Sequence, residues 1–470
     1  MGQAQTRLAD EDPEEASRRR ESFLPQAPPK KPKVPPPYVS DPMMLPSDSS
    51  TIDSSASLDN LDNYELLQVV GSGAFSKVRV VRQMTTNNVY ALKYSVREDI
   101  VKLGRTQLML NERRILLRLQ HPFLCNLHQT FCDSEYLYTL LDLMTGGDLR
   151  WHIERKTFSE ATIRFWVVEV ACAVAYLHEK GVVHRDIKPD NIMLDELGHA
   201  RLGDFNVACM LPYGEYKTDS GCGTIGYMAP EVVRAKYNHL VDWWSLGAVF
   251  YECLYGTVPY RYHSTDEYRR MKLKEHSNLF PVTQPQVSMA AIEALDLLLT
   301  VEAQYRLHDV DQLLQLSYFR GFTRLGLEKK LYSQHMDKGV MKEGIGGTNW
   351  QGPVFVPDAD ELNYDESLDV EELLMLDRSL VNDRAQGFKR KKWTSSNRGQ
   401  VILDEEYVPF ERKASLNTSI SACDLVTRNW GNRNLSGKSK VAGKRRSGPE
   451  SGVVAMGKAG KGSRVQPIKQ

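Results

Sequence analysis

One stretch of the chain, residues 184–206, constrains the fold more than any other, because it fixes the spacing of several reactive side chains. It reads HRDIKPDNIMLDELGHARLGDFN. A carboxylate, an ammonium and a carboxamide fall on one short loop, at Asp186, Lys188 and Asn191, and a second carboxylate follows the next predicted strand, at Asp204. Oxygen ligands such as those of Asn191 and Asp204 suit Mg²⁺, with Mn²⁺ as an alternative.

These side chains match the needs of phosphoryl transfer. Asp186 can accept a hydrogen bond from an attacking hydroxyl, and Lys188 can offset charge on the transferred group. The spacing resembles that of the protein kinases, H-R-D-x-K-P-x-N followed by D-F-G, and the lysine belongs to their serine/threonine pattern. The resemblance implies ATP as co-substrate, Asp186, Lys188 and Asn191 as catalytic residues, and Asn191 and Asp204 as metal ligands. A polar loop between two strands is the alternative for this stretch by itself.

Composition limits the class of protein. The 470 residues leave room for one large domain with tails, or for two or three domains. The formal net charge is zero, so there is no overall electrostatic reason to expect nucleic acid as a partner. The seven cysteines include no C-x-x-C pair and indicate reduced thiols. No apolar run reaches the roughly 20 residues that span a bilayer, and no secretory signal is visible.

Residues 1–62 are rich in Pro, Ser, Asp and Arg and poor in large apolar side chains, which predicts a disordered tail. The opening MGQAQT fits the myristoylation pattern, with Gly2 exposed after removal of the first methionine, although so short a pattern also arises by coincidence. One myristoyl chain gives only weak membrane association. We therefore expect a cytoplasmic protein, with a membrane-associated or nuclear fraction as alternatives.

A glycine turn follows this tail. Gly71 and Gly73 lie between runs of alternating apolar residues, which predicts a strand, a turn and a second strand that includes Val78. Such a turn lets backbone N–H groups approach the phosphates of ATP. The third glycine of the G-x-G-x-x-G pattern is Ser76 here, a departure that leaves the turn possible.

Lys93 ends a segment that resembles the V-A-I-K strand of kinases, where the lysine contacts the α and β phosphates. Its predicted partner is Glu112, in a segment with helical apolar spacing; a surface charge and a surface ion pair are the alternatives. The resemblance also places Leu141 at the back of the adenine pocket and assigns backbone hydrogen bonds to Asp142 and Met144. The full set of predicted nucleotide contacts is Gly71, Gly73, Val78, Ala91, Lys93, Glu112, Leu141, Asp142, Met144 and Met193.

Two positions near the second carboxylate depart from the kinase pattern. Asn206 replaces the glycine of D-F-G, and because asparagine tolerates a positive φ better than other non-glycine residues, we expect metal binding through Asp204 to survive. Ser220 lies where relatives often carry a regulatory phosphate that pairs with the arginine of H-R-D. Many relatives carry another basic residue for this phosphate shortly after the D-F-G motif, but that position is Cys209 in this chain.

The large lobe has two predicted structural contacts. Glu231 of an A-P-E motif should pair with Arg306, and Asp242 should brace the catalytic loop.

The segments FVP, LNYD and EELL, between residues 355 and 374, resemble the C-terminal tail of AGC-group kinases. Together with GGDLR at 146–150, they are similar to the YANK branch of that group, the serine/threonine kinase 32-like kinases.

The predicted fold is α+β and bilobal, with a small antiparallel-sheet lobe that has one main helix and a larger, mostly helical lobe. The kinase domain is expected at 63–322, the AGC-like tail at 323–377, and a basic, mostly disordered region at 378–470. Within that last region, only Tyr407 to Phe410 echo the hydrophobic motif that ends AGC tails.

The predicted function is transfer of the γ-phosphate of ATP to Ser or Thr hydroxyls of proteins. Three acidic residues, Asp148, Asp190 and Glu252, match positions that meet substrate arginines in basophilic AGC kinases, so we expect Arg or Lys upstream of the target residue. The alternative is a pseudokinase or scaffold that binds partners without catalysis. The departures at Ser76 and Asn206 are the features in its favour.

Overall fold

The computed structural model describes residues 60–73, 76–219, 222–260, 287–329, 355–358, 363, 398–407 and 409–412. Its strands are β1 (Tyr64–Ser72), β2 (Lys77–Gln83), β3 (Val89–Val96), β4 (Leu127–Cys132), β5 (Tyr136–Leu141), β6 (Val182–Val183), β7 (Ile192–Leu194), β8 (Ala200–Leu202), β9 (Cys209–Met210) and β10 (Phe410–Glu411). Its helices are α1 (Arg97–Lys102), α2 (Thr106–Arg118), α3 (Leu149–Ile153), α4 (Glu160–Glu179), α5 (Pro230–Val233), α6 (Leu240–Tyr255), α7 (Met289–Leu298), α8 (Val310–Gln315), α9 (Arg324–Glu328) and α10 (Arg398–Glu406).

The small lobe is built on a six-stranded antiparallel sheet with the order β1-β2-β3-β5-β4-β10. Aromatic rings fill one face, where Phe131 stacks on Tyr138 with centroids 4.7 Å apart and also stacks against Tyr64. Strand β3 is buried along most of its length, because it lies in the middle of the sheet. The predicted main helix is α2, which carries Glu112.

The large lobe is organised around α4, whose Ser159 caps the first turn by accepting a hydrogen bond from the N–H of Thr162. By length and composition, α4 is the one helix of the described residues that could cross a membrane. Its side chains are mostly buried against α6 and the neighbouring helices, as in the core of a lobe. The fold class agrees with the prediction, since a small antiparallel sheet lobe is joined to a larger helical lobe.

Segments from the C-terminal part of the chain pack on both lobes. Phe355 contacts an aromatic group of the large lobe, made of His152, Phe158 and Trp166. Asn363 donates a hydrogen bond to the carbonyl of Thr145 at 3.2 Å. Residues 362, 364–365 and 371–374 of the tail motifs lie outside the described residues.

An ordered helix lies within the region that the composition predicts to be mostly disordered. Helix α10 packs on the small lobe, where Leu403 and Tyr407 join a buried cluster with Ile100, Leu110 and Leu137. Strand β10 then extends the sheet beside β4. The region predicted to be mostly disordered thus contains an ordered part at 398–407 and 409–412, because a few apolar residues there gain burial against a surface that local composition does not reveal.

Candidate active site

A buried ion pair links the sheet of the small lobe to its main helix. The ammonium of Lys93 lies 2.6 Å from a carboxylate oxygen of Glu112, and both side chains are almost fully buried. Burial alone would lower the pKa of Lys93, but the negative charges of Glu112 and Asp204 outweigh it and raise the pKa. The lysine is therefore held as a cation inside the cleft. The predicted pairing of Lys93 with Glu112 is confirmed.

The same ammonium also contacts two residues of the D-F-N triplet, Asp204 and Asn206. It lies 3.1 Å from Oδ1 of Asp204 and donates a hydrogen bond to Oδ1 of Asn206 at 3.0 Å. The positive φ expected at Asn206 lies instead at Asp204, with a value of 56°, so that reading of the asparagine was wrong. Burial would raise the pKa of Asp204, but Lys93 outweighs this effect and lowers it, which keeps the carboxylate ionised.

Three polar side chains, of Thr224, Lys188 and Asn191, surround the carboxylate of Asp186. One carboxylate oxygen accepts hydrogen bonds from the N–H and hydroxyl of Thr224, at 3.0 and 2.9 Å. The other lies 2.9 Å from the ammonium of Lys188 and accepts a bond from the amide of Asn191 at 3.1 Å. The loop and Thr224 thus bring an acceptor, a cation and a hydroxyl together. The sequence reading missed Thr224, which lies 38 residues along the chain from Asp186.

Two side-chain oxygens remain available for a metal. The amide nitrogen of Asn191 bonds to Asp186, and within the described residues its side-chain oxygen accepts no hydrogen bond. The same holds for Oδ2 of Asp204. The N–H of Gly203 donates to the carbonyl of Asn191 at 2.9 Å, which ties together the backbones that carry these ligands. A carboxylate and an amide oxygen suit a hard divalent cation, so the donor set fits the predicted metal.

Asp242 braces the catalytic loop from the core of the large lobe, as predicted. Its carboxylate is fully buried and accepts hydrogen bonds from the N–H groups of His184 and Arg185, at 2.9 and 2.8 Å, and from His178. The ring of His184 lies 3.0 Å from the carbonyl of Gly203. These contacts fix the position of Asp186 relative to Asp204.

The other predicted brace is also confirmed. Arg306 is buried and binds Glu231 through two nitrogens, at 2.6 and 3.0 Å. Arg185 bonds to the carbonyl of Val207 and the hydroxyl of Tyr237. Ser220, the expected partner of Arg185 when phosphorylated, lies outside the described residues.

The residues predicted to contact the nucleotide line neighbouring strands. Ala91 faces Leu141 across β3 and β5, and Val78 pairs with Lys93 across β2 and β3. Met193 lies on β7, bridged to Asp148. Val78, Ala91, Lys93 and Leu141 therefore lie on one side of the sheet. Met193 belongs to the large lobe.

The segment between the lobes presents free backbone groups. The N–H of Asp142 bonds to the carbonyl of Asn126. Among the described residues, its carbonyl and the N–H of Met144 have no backbone partner. The motif did not predict the contacts of the Asp142 carboxylate. Burial alone would raise its pKa, but hydrogen bonds from His128 and Asn126 and the charge of Arg201 outweigh burial and lower the pKa to about 2.

The glycine turn closes without its third glycine. Gly71 pairs with Val78 across β1 and β2, and the N–H of Gly73 donates to the carbonyl of Ser76 at 2.7 Å. The serine therefore takes part in the turn through its backbone. Residues 74 and 75, at the tip of the turn, lie outside the described residues.

The three acidic residues near the substrate side are already engaged within the chain. Asp148 accepts a hydrogen bond from the N–H of Trp151, at the start of α3. Asp190 and Glu252 both bind Arg150, at 3.4 and 2.7 Å. The sequence reading assigned the acids but missed the arginine, although Arg150 stands in the quoted GGDLR motif.

Comparison with known proteins agrees with this geometry. Residues 64–319 match the protein kinase domain family. The chain belongs to the protein kinase family. The kinase is 33% identical to Serine/threonine-protein kinase 32B of Homo sapiens over 352 residues, which cover 73% of this chain and 77% of that protein.

Two further relatives of the kinase support the predicted branch. Serine/threonine-protein kinase 32C of Homo sapiens is 33% identical over 344 residues, covering 72% of this chain and 66% of that protein. Serine/threonine-protein kinase Sgk1 of Danio rerio is 36% identical over 283 residues, covering 59% and 64%. The predicted resemblance to AGC kinases of the YANK branch is confirmed.

Proposed function

We propose that this kinase transfers the γ-phosphate of ATP to Ser and Thr hydroxyls of protein substrates. The observation that carries the proposal is the arrangement around Asp186, where Lys188, Asn191 and Thr224 all bond to its carboxylate. The names of the relatives, all serine/threonine-protein kinases, support the same acceptor class. The metal we propose is Mg²⁺, with Mn²⁺ as a substitute.

The side chains divide the work of catalysis between binding, orientation and proton transfer. Lys93, kept charged by Glu112, neutralises the α and β phosphates, and the N–H groups of the glycine turn cover them. The oxygens of Asn191 and Asp204 would hold the divalent cation, which would supply further neutralisation of phosphate charge. The adenine base bonds to the carbonyl of Asp142 and the N–H of Met144.

Asp186 receives the proton of the attacking hydroxyl. The hydroxyl of Thr224 donates a hydrogen bond to Asp186, and the substrate hydroxyl takes over part of this acceptor capacity when it binds. Lys188 lies within 3.0 Å of both Asp186 and Thr224, where its charge can offset that of the transferred phosphoryl group. Catalysis then rests on positioning and charge neutralisation.

The acidic residues near the substrate side support a preference for basic substrates. Of the described residues at this site, Asp148, Asp190 and Glu252 supply three carboxylates, and Arg150 binds two of them. We propose that Arg or Lys is preferred upstream of the target residue.

For the N-terminal segment we propose myristoylation at Gly2, with weak membrane association and an otherwise cytoplasmic or nuclear location. Fractionation of Gly2→Ala beside wild type tests this part; unchanged membrane binding would exclude it.

A peptide assay tests the catalytic proposal. Purified wild type and Lys93→Met are incubated with Mg-ATP and three peptides that differ only in a Ser, Thr or Tyr acceptor. We expect transfer to Ser and Thr, little to Tyr, none with Lys93→Met, and loss of transfer with a chelator until Mg²⁺ or Mn²⁺ is restored. Absence of transfer to all three peptides would support the pseudokinase alternative.

A further inference from the structure

An arginine of the chain itself occupies the acidic site next to the catalytic loop. Arg150, the second residue of α3, binds both carboxylate oxygens of Glu252, at 2.7 and 3.4 Å, and lies 3.4 Å from Asp190. The hydroxyl of Tyr227 bonds to Arg150 and to Glu252. Tyr227 follows Thr224 by three positions, so this cluster adjoins the groups around Asp186.

The two carboxylates of this site differ in how much of each remains accessible. The side chain of Glu252 is 8% exposed, and its oxygens are taken up by Arg150 and Tyr227. The side chain of Asp190 is 48% exposed and shares the edge of the guanidinium at a longer distance. A substrate cation can therefore reach Asp190, but it can bind Glu252 only if Arg150 leaves.

The two-point contact with Glu252 opposes that exchange. Arg150 contacts both carboxylate oxygens of Glu252 through two nitrogens, the bidentate pairing that strengthens guanidinium–carboxylate contacts. Burial alone would lower the pKa of Arg150, but Glu252, Tyr227 and Asp190 outweigh it and raise the pKa. An incoming arginine would have to separate a partly buried ion pair, which costs more than binding an open carboxylate.

We propose that Arg150 is a specificity-determining residue: it stands in for a substrate arginine at Glu252 and so reduces the selectivity of the kinase for arginine upstream of the target residue. The proposal rests on the proposed protein kinase activity and refines its basic preference. Selectivity then comes from the exposed Asp190, and it is modest. The enzyme consequently accepts a wider set of substrates than its three acidic residues suggest.

Selectivity is measured as the ratio of kcat/KM for two peptides in the same preparation. The peptides share one Ser, and one carries an Arg, moved position by position upstream, where the other carries Gly. Because both rates come from one preparation, the ratio does not depend on the fraction of active protein. Wild type is compared with Arg150→Leu, and Arg150→Gln serves as a second variant if the first folds poorly.

Removal of Arg150 should raise the selectivity for arginine roughly tenfold at one upstream position, since Glu252 becomes an open partner for a charge-assisted hydrogen bond. The double variant Arg150→Leu with Glu252→Gln should return the ratio to within about twofold of wild type. Arg155→Leu is the matched control. It makes the same charge change just beyond α3, where the guanidinium packs on the ring of Trp151.

Three results would overturn the proposal: an unchanged ratio in Arg150→Leu and Arg150→Gln, an equal rise in Arg155→Leu, or a rise that persists in the double variant. These outcomes are separate from failure of the proposed function. If wild type transfers no phosphate to either peptide, the kinase activity itself is refuted. If wild type is active and the ratio does not move, only the role of Arg150 is refuted.

Discussion

The ammonium of Lys93 donates a hydrogen bond to the side-chain oxygen of Asn206 at 3.0 Å, beside its bonds to Glu112 and Asp204. An ammonium has three N–H donors, so these three acceptors use all of them. A nucleotide phosphate must then displace one acceptor. The neutral amide of Asn206 is the weakest of the three and the one expected to yield.

Substitutions at Asn206 should therefore change the KM for ATP in opposite directions. Asn206→Gly frees one donor of Lys93 for the nucleotide and should lower the KM roughly three- to tenfold, with kcat little changed. Asn206→Asp supplies a charged acceptor that holds the lysine more tightly and should raise the KM. Steady-state kinetics with varied ATP checks both. A higher KM in Asn206→Gly would show that the asparagine positions the lysine instead of competing with ATP.

Loss of the brace under the catalytic loop should lower turnover more than nucleotide affinity. Asp242→Asn keeps the size of the side chain but weakens three hydrogen bonds, to His178, His184 and Arg185. We expect a loss of about 2–3 kcal/mol in the free energy of unfolding and a fall in kcat of roughly tenfold or more. The exposed Asp311→Asn is the control. Equal kcat in wild type and Asp242→Asn would argue against the bracing role.

The docked helix α10 should stabilise the small lobe through Tyr407. This side chain is 2% exposed, and its hydroxyl bonds to Thr139 and to the carbonyl of Tyr138. Tyr407→Ala should cost about 3 kcal/mol of stability, and Tyr407→Phe about 1 kcal/mol. Thermal unfolding measures both changes. Val401→Ala, at an exposed position of α10, should have little effect.

The same docking should influence the active site. Leu110 contacts the buried cluster that contains Tyr407, and it lies on α2 two positions before Glu112. Tyr407→Ala should therefore also raise the KM for ATP. An unchanged melting temperature in Tyr407→Ala would show that α10 does not remain docked in solution.

The lowered pKa of His239 should make the free energy of unfolding depend on pH. Burial and the charges of His178 and His308, opposed by Asp242, lower its pKa from 6.5 to about 4. The unfolded chain thus binds a proton that the folded protein does not between about pH 6.5 and 4. This contribution to stability is complete above pH 6.5 and is lost as pH falls toward 4, at about 3 kcal/mol in total.

His239→Phe tests this pH dependence, because phenylalanine keeps an aromatic ring against His178 and Tyr213 but does not titrate. Denaturant unfolding at a series of pH values should show a shallower loss of stability in the variant than in wild type. Parallel curves for the two proteins would contradict the buried, neutral state of His239.

The sequence is most informative where the functional residues are close together along the chain. Asp186, Lys188 and Asn191 lie within six residues, so one loop positions all three and the motif predicts their meeting. The pairing of Lys93 with Glu112 was also predictable, because a strand and the helix after it must pack together. The contact between Thr224 and Asp186 could not be predicted from the motif, because it depends on how a segment 38 residues farther along the chain folds back onto the loop.

Side-chain direction is what the sequence could not reveal. Arg150 binds Glu252 across 102 residues, and its orientation depends on the packing of α3. Asn206 was interpreted through backbone conformation, whereas its role in the structure is as an acceptor for Lys93. The composition of 378–470 likewise gave no sign of α10, because the surface that buries Leu403 and Tyr407 belongs to the small lobe.

The central claim is that Asp186 serves as the acceptor for the substrate proton in a working phosphotransferase. The most direct measurement is transfer of labelled γ-phosphate from Mg-ATP to a Ser peptide by wild type and by Asp186→Asn, with nucleotide binding measured in both. We predict that both proteins bind ATP and that the variant loses at least about 100-fold in transfer rate. Equal transfer by the two proteins would contradict the account.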